Sequence, residues 1–159
     1  MRGTIRPEAN GDLFWDKEVI LLLNWMPPKT TIDSDWYCNS LCQLRRHIQQ
    51  RCHGKWGRGI LLQHDNAWPH GSRQTIATLG ALGYTVLPHP PYLPNLAPSD
   101  YALFDERKDI MRGKSFTSNE LQADVQKWRR DTSKEGFAVQ IRKLLERWQR
   151  CIDIGWEYF

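Results

Sequence analysis

Two aspartates stand where an α/β protein can do metal chemistry. Asp65 directly follows Ile60-Leu61-Leu62-Gln63-His64, a short, mostly apolar run of the kind found in a buried parallel strand. The carboxyl end of such a strand is where open α/β sheets put ligand-binding groups. Asp100 follows Pro98 and Ser99, in the first turn of a predicted helix. Their carboxylates are the hard oxygens that Mg²⁺ takes, one or two to an ion, with waters and substrate phosphate completing an octahedron. Two such ions about 3.5–4 Å apart clamp the attacking and leaving oxygens of a phosphoryl transfer. A carboxylate at the position of Asp100 is also stabilised by its helix dipole, a purely structural use.

The elements that must position this pair can be read from periodicity. Leu13 to Met26 is apolar apart from Asp16-Lys17-Glu18, which predicts a strand, a turn and a second strand over Val19–Trp25, ended by Pro27-Pro28. Tyr37, Leu41, Leu44 and Ile48 fall at i, i+4, i+7 and i+11, one buried stripe on a helix over about 33–52, with N-cap residues at Thr31 to Ser34. Ile76, Leu79 and Leu82 predict a second helix, closed by Gly83, and Tyr84–Leu87 another strand. Five prolines between Pro88 and Pro98 make a stiff, extended loop. Helices are expected over about 99–112, 118–130 and 134–150, and residues 1–12 show no periodicity and read as a poorly ordered leader before a domain over 13–159. Strands alternating with helices imply an α/β domain with parallel pairing.

With 159 residues there is room for one core, and the longest unbroken apolar run, Val19 to Leu23, is far short of the roughly 20 residues of a membrane span. The first twenty residues mix Arg2 and Arg6 with Glu8, Asp12 and Asp16, which does not fit a secretory signal. The net charge is +4. Basic residues gather between Lys127 and Arg150, where Lys127, Arg129, Arg130, Arg142, Lys143 and Arg147 are the candidates for contact with nucleic acid; a solvated helix face gives the same composition. Cys38, Cys42, His47, Cys52 and His53 invite a zinc reading, but Cys38 and Cys42 lie within the helical pattern, so small buried thiols fit better. Of the eight tryptophans, Trp15, Trp25, Trp36 and Trp148 occupy core-like positions, while Trp56 and Trp68 fall in loops, where stacking on bases competes with partly exposed packing.

Longer motifs add a family resemblance. His64-Asp65-Asn66-Ala67-Trp68-Pro69-His70 resembles the HDNARPH motif of mariner-family DNA transposases, and Leu87 to Tyr101 (LPHPPYLPNLAPSDY) resembles that family's LPHPPYSPDLAPSDY. Asp65 and Asp100 enclose 34 residues, the family's spacing between its second and third metal-binding aspartates. Trp15-Asp16, Ile32 to Cys38, and Arg147 to Asp153 with Tyr158-Phe159 are similar to its WWD, INSDLYC and RWxKCID…YF segments, so the resemblance runs from about residue 13 to 159. It implies an incomplete ribonuclease-H-like α/β fold, with a mixed sheet, flanking helices and a helical C-terminal part. It further implies metal-dependent DNA strand cleavage and strand transfer, with Mg²⁺ or Mn²⁺ on Asp65 and Asp100 and with His64 and Asn66 flanking the site. Double-stranded DNA is the implied partner, with a homodimer or a chain that completes the sheet, and the nucleus the implied location.

The departures shape what is expected of this chain. The family's first aspartate lies on a strand upstream of the WWD segment, and here only about a dozen unpatterned residues precede Trp15. The DNA-recognition domains of the family likewise have no counterpart. Asp12 and Asp16 could stand in as a third ligand, though both are expected beside a turn next to a later strand. With two carboxylates metal binding is expected to be weak and catalysis lost, leaving either an inactive DNA-binding fragment, or a sequence-nonspecific DNA-binding or protein-interaction module. The family's strand order, 3-2-1-4-5, puts the missing strand in the middle, so the sheet is expected to break between the Val19–Trp25 and Ile60–His64 strands.

Overall fold

The stripe of Tyr37, Leu41, Leu44 and Ile48 lies on helix α1 (Ser34–Arg51), and all four side chains are buried. Asp33 caps it, its carboxylate accepting the Trp36 N–H at 2.8 Å. The computed structural model describes residues 2–4, 11–27, 29–52, 54, 57, 59–64, 68–90, 96–98, 101 and 118–155. The helix expected over 99–112 lies outside them, apart from Tyr101. On one side of α1 runs an antiparallel sheet of β1 (Arg2–Thr4), β2 (Gly11–Trp15) and β3 (Ile20–Trp25), in that order. Next along the chain come β4 (Ile60–Leu62), the single turn α2 (Trp68–Gly71), α3 (Arg73–Leu82) and β5 (Tyr84–Val86), and β4 and β5 pair in parallel. Two longer helices, α4 (Ser118–Asp131) and α5 (Lys134–Asp153), complete the described elements.

Every residue of β2 is buried, because helices cover both faces of its sheet. Successive strand side chains point to opposite faces. Leu13 and Trp15, with Ile20 of β3, meet Val125 of α4 and Phe137 of α5, and the Trp15 ring packs edge-on to Trp128 at 5.5 Å. Phe14 and Leu22 face the other way, toward α1. There the α1 stripe also receives Leu62 of β4, Leu79 of α3 and Tyr84 of β5. One helix thus seals two separate sheets, each fully buried leucine contributing roughly 2 kcal/mol. No ladder joins the sheets among the described residues, so the break expected between the β3 and β4 strands is what the structure has.

Four local expectations are corrected. Residues 2–4, expected in an unstructured leader, form a strand whose Gly3 and Thr4 pair with Leu13 and Asp12. They stand on the side of β2 away from β3, where the family's strand order puts its first strand. Leu61 is 64% exposed at the centre of β4, since only one face of this short two-stranded sheet is covered by α1. On α3 the inward positions are Thr75 and Leu79, while Ile76 is exposed, because the Thr75 hydroxyl donates to the Pro69 carbonyl and turns that residue inward. Trp68, expected in a loop, opens α2 and is exposed. Gly83 does close α3, in the left-handed conformation at φ 77°, with its N–H on the Leu79 and Gly80 carbonyls. Cys38 is a buried thiol, its Sγ 3.7 Å from Thr75 Oγ1.

Leu41→Ala is expected to lower the unfolding free energy by about 2–5 kcal/mol in chemical denaturation, since it opens a cavity where both sheets meet α1. Burial raises the Tyr84 hydroxyl well above the ordinary tyrosine value of about 10, against a smaller lowering by Arg45. The folded chain therefore holds that proton after the unfolded chain has lost it, and stability falls as pH rises past about 10. Tyr84→Phe is expected to flatten this alkaline loss in melts taken across pH 9–11.

Candidate active site and nucleic-acid face

His64 leaves the end of β4 with its ring already engaged. Its Nδ1 is 2.8 Å from the Tyr37 hydroxyl on α1, and the ring lies parallel to that of His70, 5.1 Å away. His70 is buried and packs 4.2 Å from the Tyr37 ring. Tyr37 thereby joins the strand end that leads into Asp65 to the turn that leaves it. The Asp65, Asn66 and Asp100 positions themselves lie outside the described residues.

The described residues near those aspartates in sequence make defined contacts. Gln63, two residues before Asp65, is buried, and its Nε2 donates to the Leu96 carbonyl at 2.7 Å. Leu96 is fully buried four residues before Asp100. This bond ties the two aspartate-bearing segments to each other. On the far side of Asp100, Tyr101 donates its hydroxyl to the Gln140 carbonyl of α5 at 2.8 Å, and the Arg147 guanidinium sits 4.1 Å over its ring. Burial raises the Tyr101 hydroxyl far above the tyrosine range, with Arg147 opposing. Neither Tyr37 nor Gln63 was singled out for the site from sequence. Tyr37 counts as core by its spacing, and the one available signal for Gln63 is a polar side chain directly after an apolar run.

Both third-ligand candidates accept hydrogen bonds. Asp12 is fully buried, and its Oδ2 accepts the Ser40 hydroxyl at 2.6 Å, while Ser40 accepts from Asn24 Nδ2 at 2.9 Å. Asp16 Oδ1 closes the β2–β3 turn by accepting the N–H groups of Glu18 and Val19. Among the described residues no three His, Cys, Asp or Glu side chains gather as a metal group.

The comparisons with known proteins follow from this geometry. A family model described as "Transposase (partial DDE domain)" matches residues 12–58. The chain is 30% identical to Mariner Mos1 transposase of Drosophila mauritiana over 164 residues, covering 98% of this chain and 48% of that protein. It is 32% identical to the histone-lysine N-methyltransferase SETMAR of Homo sapiens over 149 residues, covering 92% of this chain and 22% of that protein. The crystal structure of the Mos1 catalytic domain superposes with a TM-score of 0.82 at 28% identity, over 99% of this chain and 77% of that one. Over nearly its whole length the chain is thus similar to the catalytic domain of a mariner-family transposase. It spans about half the length, or less, of the curated relatives it matches. Mos1 structures with the same TM-score of 0.82 hold the catalytic domain with raltegravir and Mg or Mn, and a paired-end complex with Mn.

The six basic residues lie on two helices. At about 100° per residue, Lys127, Arg129 and Arg130 splay around α4. On α5, Arg142 and Lys143 are exposed on the side away from Phe137, Leu144 and Cys151, with Arg147 at the margin over Tyr101. Arg142 also meets Glu135 at 3.6 Å across solvent, a contact of little energetic weight.

Gln63→Ala is expected to cost about 1–3 kcal/mol, because it leaves the buried Leu96 carbonyl without its donor. Denaturant unfolding monitored by tryptophan fluorescence checks it.

Proposed function

We propose that the chain binds duplex DNA, that Asp65 and Asp100 keep a weak Mg²⁺ or Mn²⁺ site, and that strand cleavage has been lost. The observation that carries this reading is the bond from Gln63 to Leu96, which draws together the two segments bearing the aspartates. A pair of carboxylates is a hard-oxygen donor set that fits either ion. When bound, the metal supplies charge neutralisation at phosphate oxygens, and the chain's part is to hold it with Asp65 and Asp100 while His64 and Asn66 flank it.

The loss of cleavage rests on the carboxylate count. β1, beside β2 where the family's first strand runs, is Arg2-Gly3-Thr4 and has no acid to offer. Asp12 Oδ2 accepts from Ser40 and Asp16 Oδ1 from two backbone N–H groups, so each acid already has a structural use. DNA binding is supported by the exposed basic residues of α5 and by the similar Mos1 assemblies, namely a pre-cleavage transpososome and a paired-end complex with left transposon end. A nuclear location, and a homodimer or partner chain completing the sheet beside β1, belong to the same reading.

Mn²⁺ is expected to raise the melting temperature of the chain, as a ligand of the native state must, and Asp65→Ala or Asp100→Ala to abolish that rise. Supercoiled plasmid is expected to stay intact with Mn²⁺; nicking that disappears in Asp65→Ala overturns the loss of cleavage. Affinity for duplex DNA is expected to fall steeply with salt, and Arg142→Ala with Lys143→Ala to weaken it equally on any sequence and lower the salt slope by about 2. Salt-independent binding overturns the DNA reading.

A further inference from the structure

β3 ends its sheet. It pairs with β2 on one side and, among the described residues, with no strand on the other. An edge strand leaves a row of backbone N–H and C=O groups open to another chain. His47 of α1 lies beside the strand, its Nδ1 3.2 Å from the Leu21 carbonyl oxygen. A cleft of about 240 Å³ runs along it, with Leu21, Leu23 and Trp25 of β3 as its floor. His47 and Arg51 of α1 form one wall, and Gln126 and Arg129 of α4 the other. Among the described residues no carboxylate lines the cleft. Arg51 and Arg129 are both exposed, and neither has an ion pair among the described residues.

We propose that this edge is a docking site for an extended, acidic peptide segment that adds a strand to β3. Main-chain pairing with β3 supplies affinity, and the side chains alternating to either face supply selection. Because α1 covers one face of the sheet and α4 the other, successive side chains of an added strand meet Arg51 and Arg129 in turn. The segment is therefore one with two adjacent acidic residues, one carboxylate reaching each guanidinium, between apolar or β-branched neighbours. A phosphate backbone has no donors for the open carbonyls of β3, and the apolar floor offers it nothing. Arg129, one of the six basic residues read as DNA-binding, is thus assigned to a protein partner.

The test is fluorescence anisotropy with the full chain and a labelled octapeptide of Val and Thr with a central Glu pair. This peptide is expected to bind, and the same peptide with a central Lys pair is not. Arg51→Glu and Arg129→Glu are each expected to weaken binding about tenfold while leaving the circular dichroism melt unchanged, since both side chains are exposed. Methylating alternate backbone amides of the peptide is expected to abolish binding by blocking the ladder. Several results overturn the proposal: no binding, equal binding of the Glu and Lys peptides, survival of binding after amide methylation, or displacement by duplex DNA. Concentration-dependent dimerisation lost in Arg51→Glu overturns it as well, because a second copy is then the occupant.

Discussion

The burial of one helical stripe holds this molecule together. Tyr37, Leu41, Leu44 and Ile48 of α1 contact β2 and β3 on one side and β4, β5 and α3 on the other. No backbone ladder crosses between the two sheets among the described residues. Their relative placement is therefore a matter of side-chain packing, which tolerates neither a void nor an extra methylene without cost. The α4–α5 pair closes the opposite face of the first sheet around Trp15 and Phe137, so β2 is buried from both directions.

The same helix reaches into the functional region. Tyr37 contributes its ring to the core against Phe14 and its hydroxyl to His64, so the strand end before Asp65 is oriented by a core residue. Gln63 extends that arrangement to Leu96, and Tyr101 with Arg147 extends it to α5. These are hydrogen bonds between buried or half-buried groups, where an unmet partner costs more than the bond itself contributes.

Ser40 shows how a buried acid can be turned from chemistry to structure. It accepts from Asn24 and donates to Asp12, linking α1 to a cross-strand pair of β2 and β3. Asp12 lies on β2 and faces α1.

Much of this was legible in the residues. The α1 stripe, the β2–β3 hairpin, the Gly83 cap, the long C-terminal helices and the descent of the chain could all be read, because periodicity, capping chemistry and contiguous motifs are local properties of a sequence. Other features were not legible, and each depends on residues distant in the chain. Three residues with no pattern become a strand because β2 offers an edge to pair with. Thr75 displaces Ile76 from the interior because the Pro69 carbonyl needs a donor. Leu61 is exposed while Leu62 beside it is buried against α1, a division set by the helix rather than by the apolar run. The sequence alone determined which residues could ligate a metal or contact DNA. Tertiary structure decided which acids are spent on hydrogen bonds and which arginines border an open strand edge, since those outcomes depend on what the fold brings within about 3 Å.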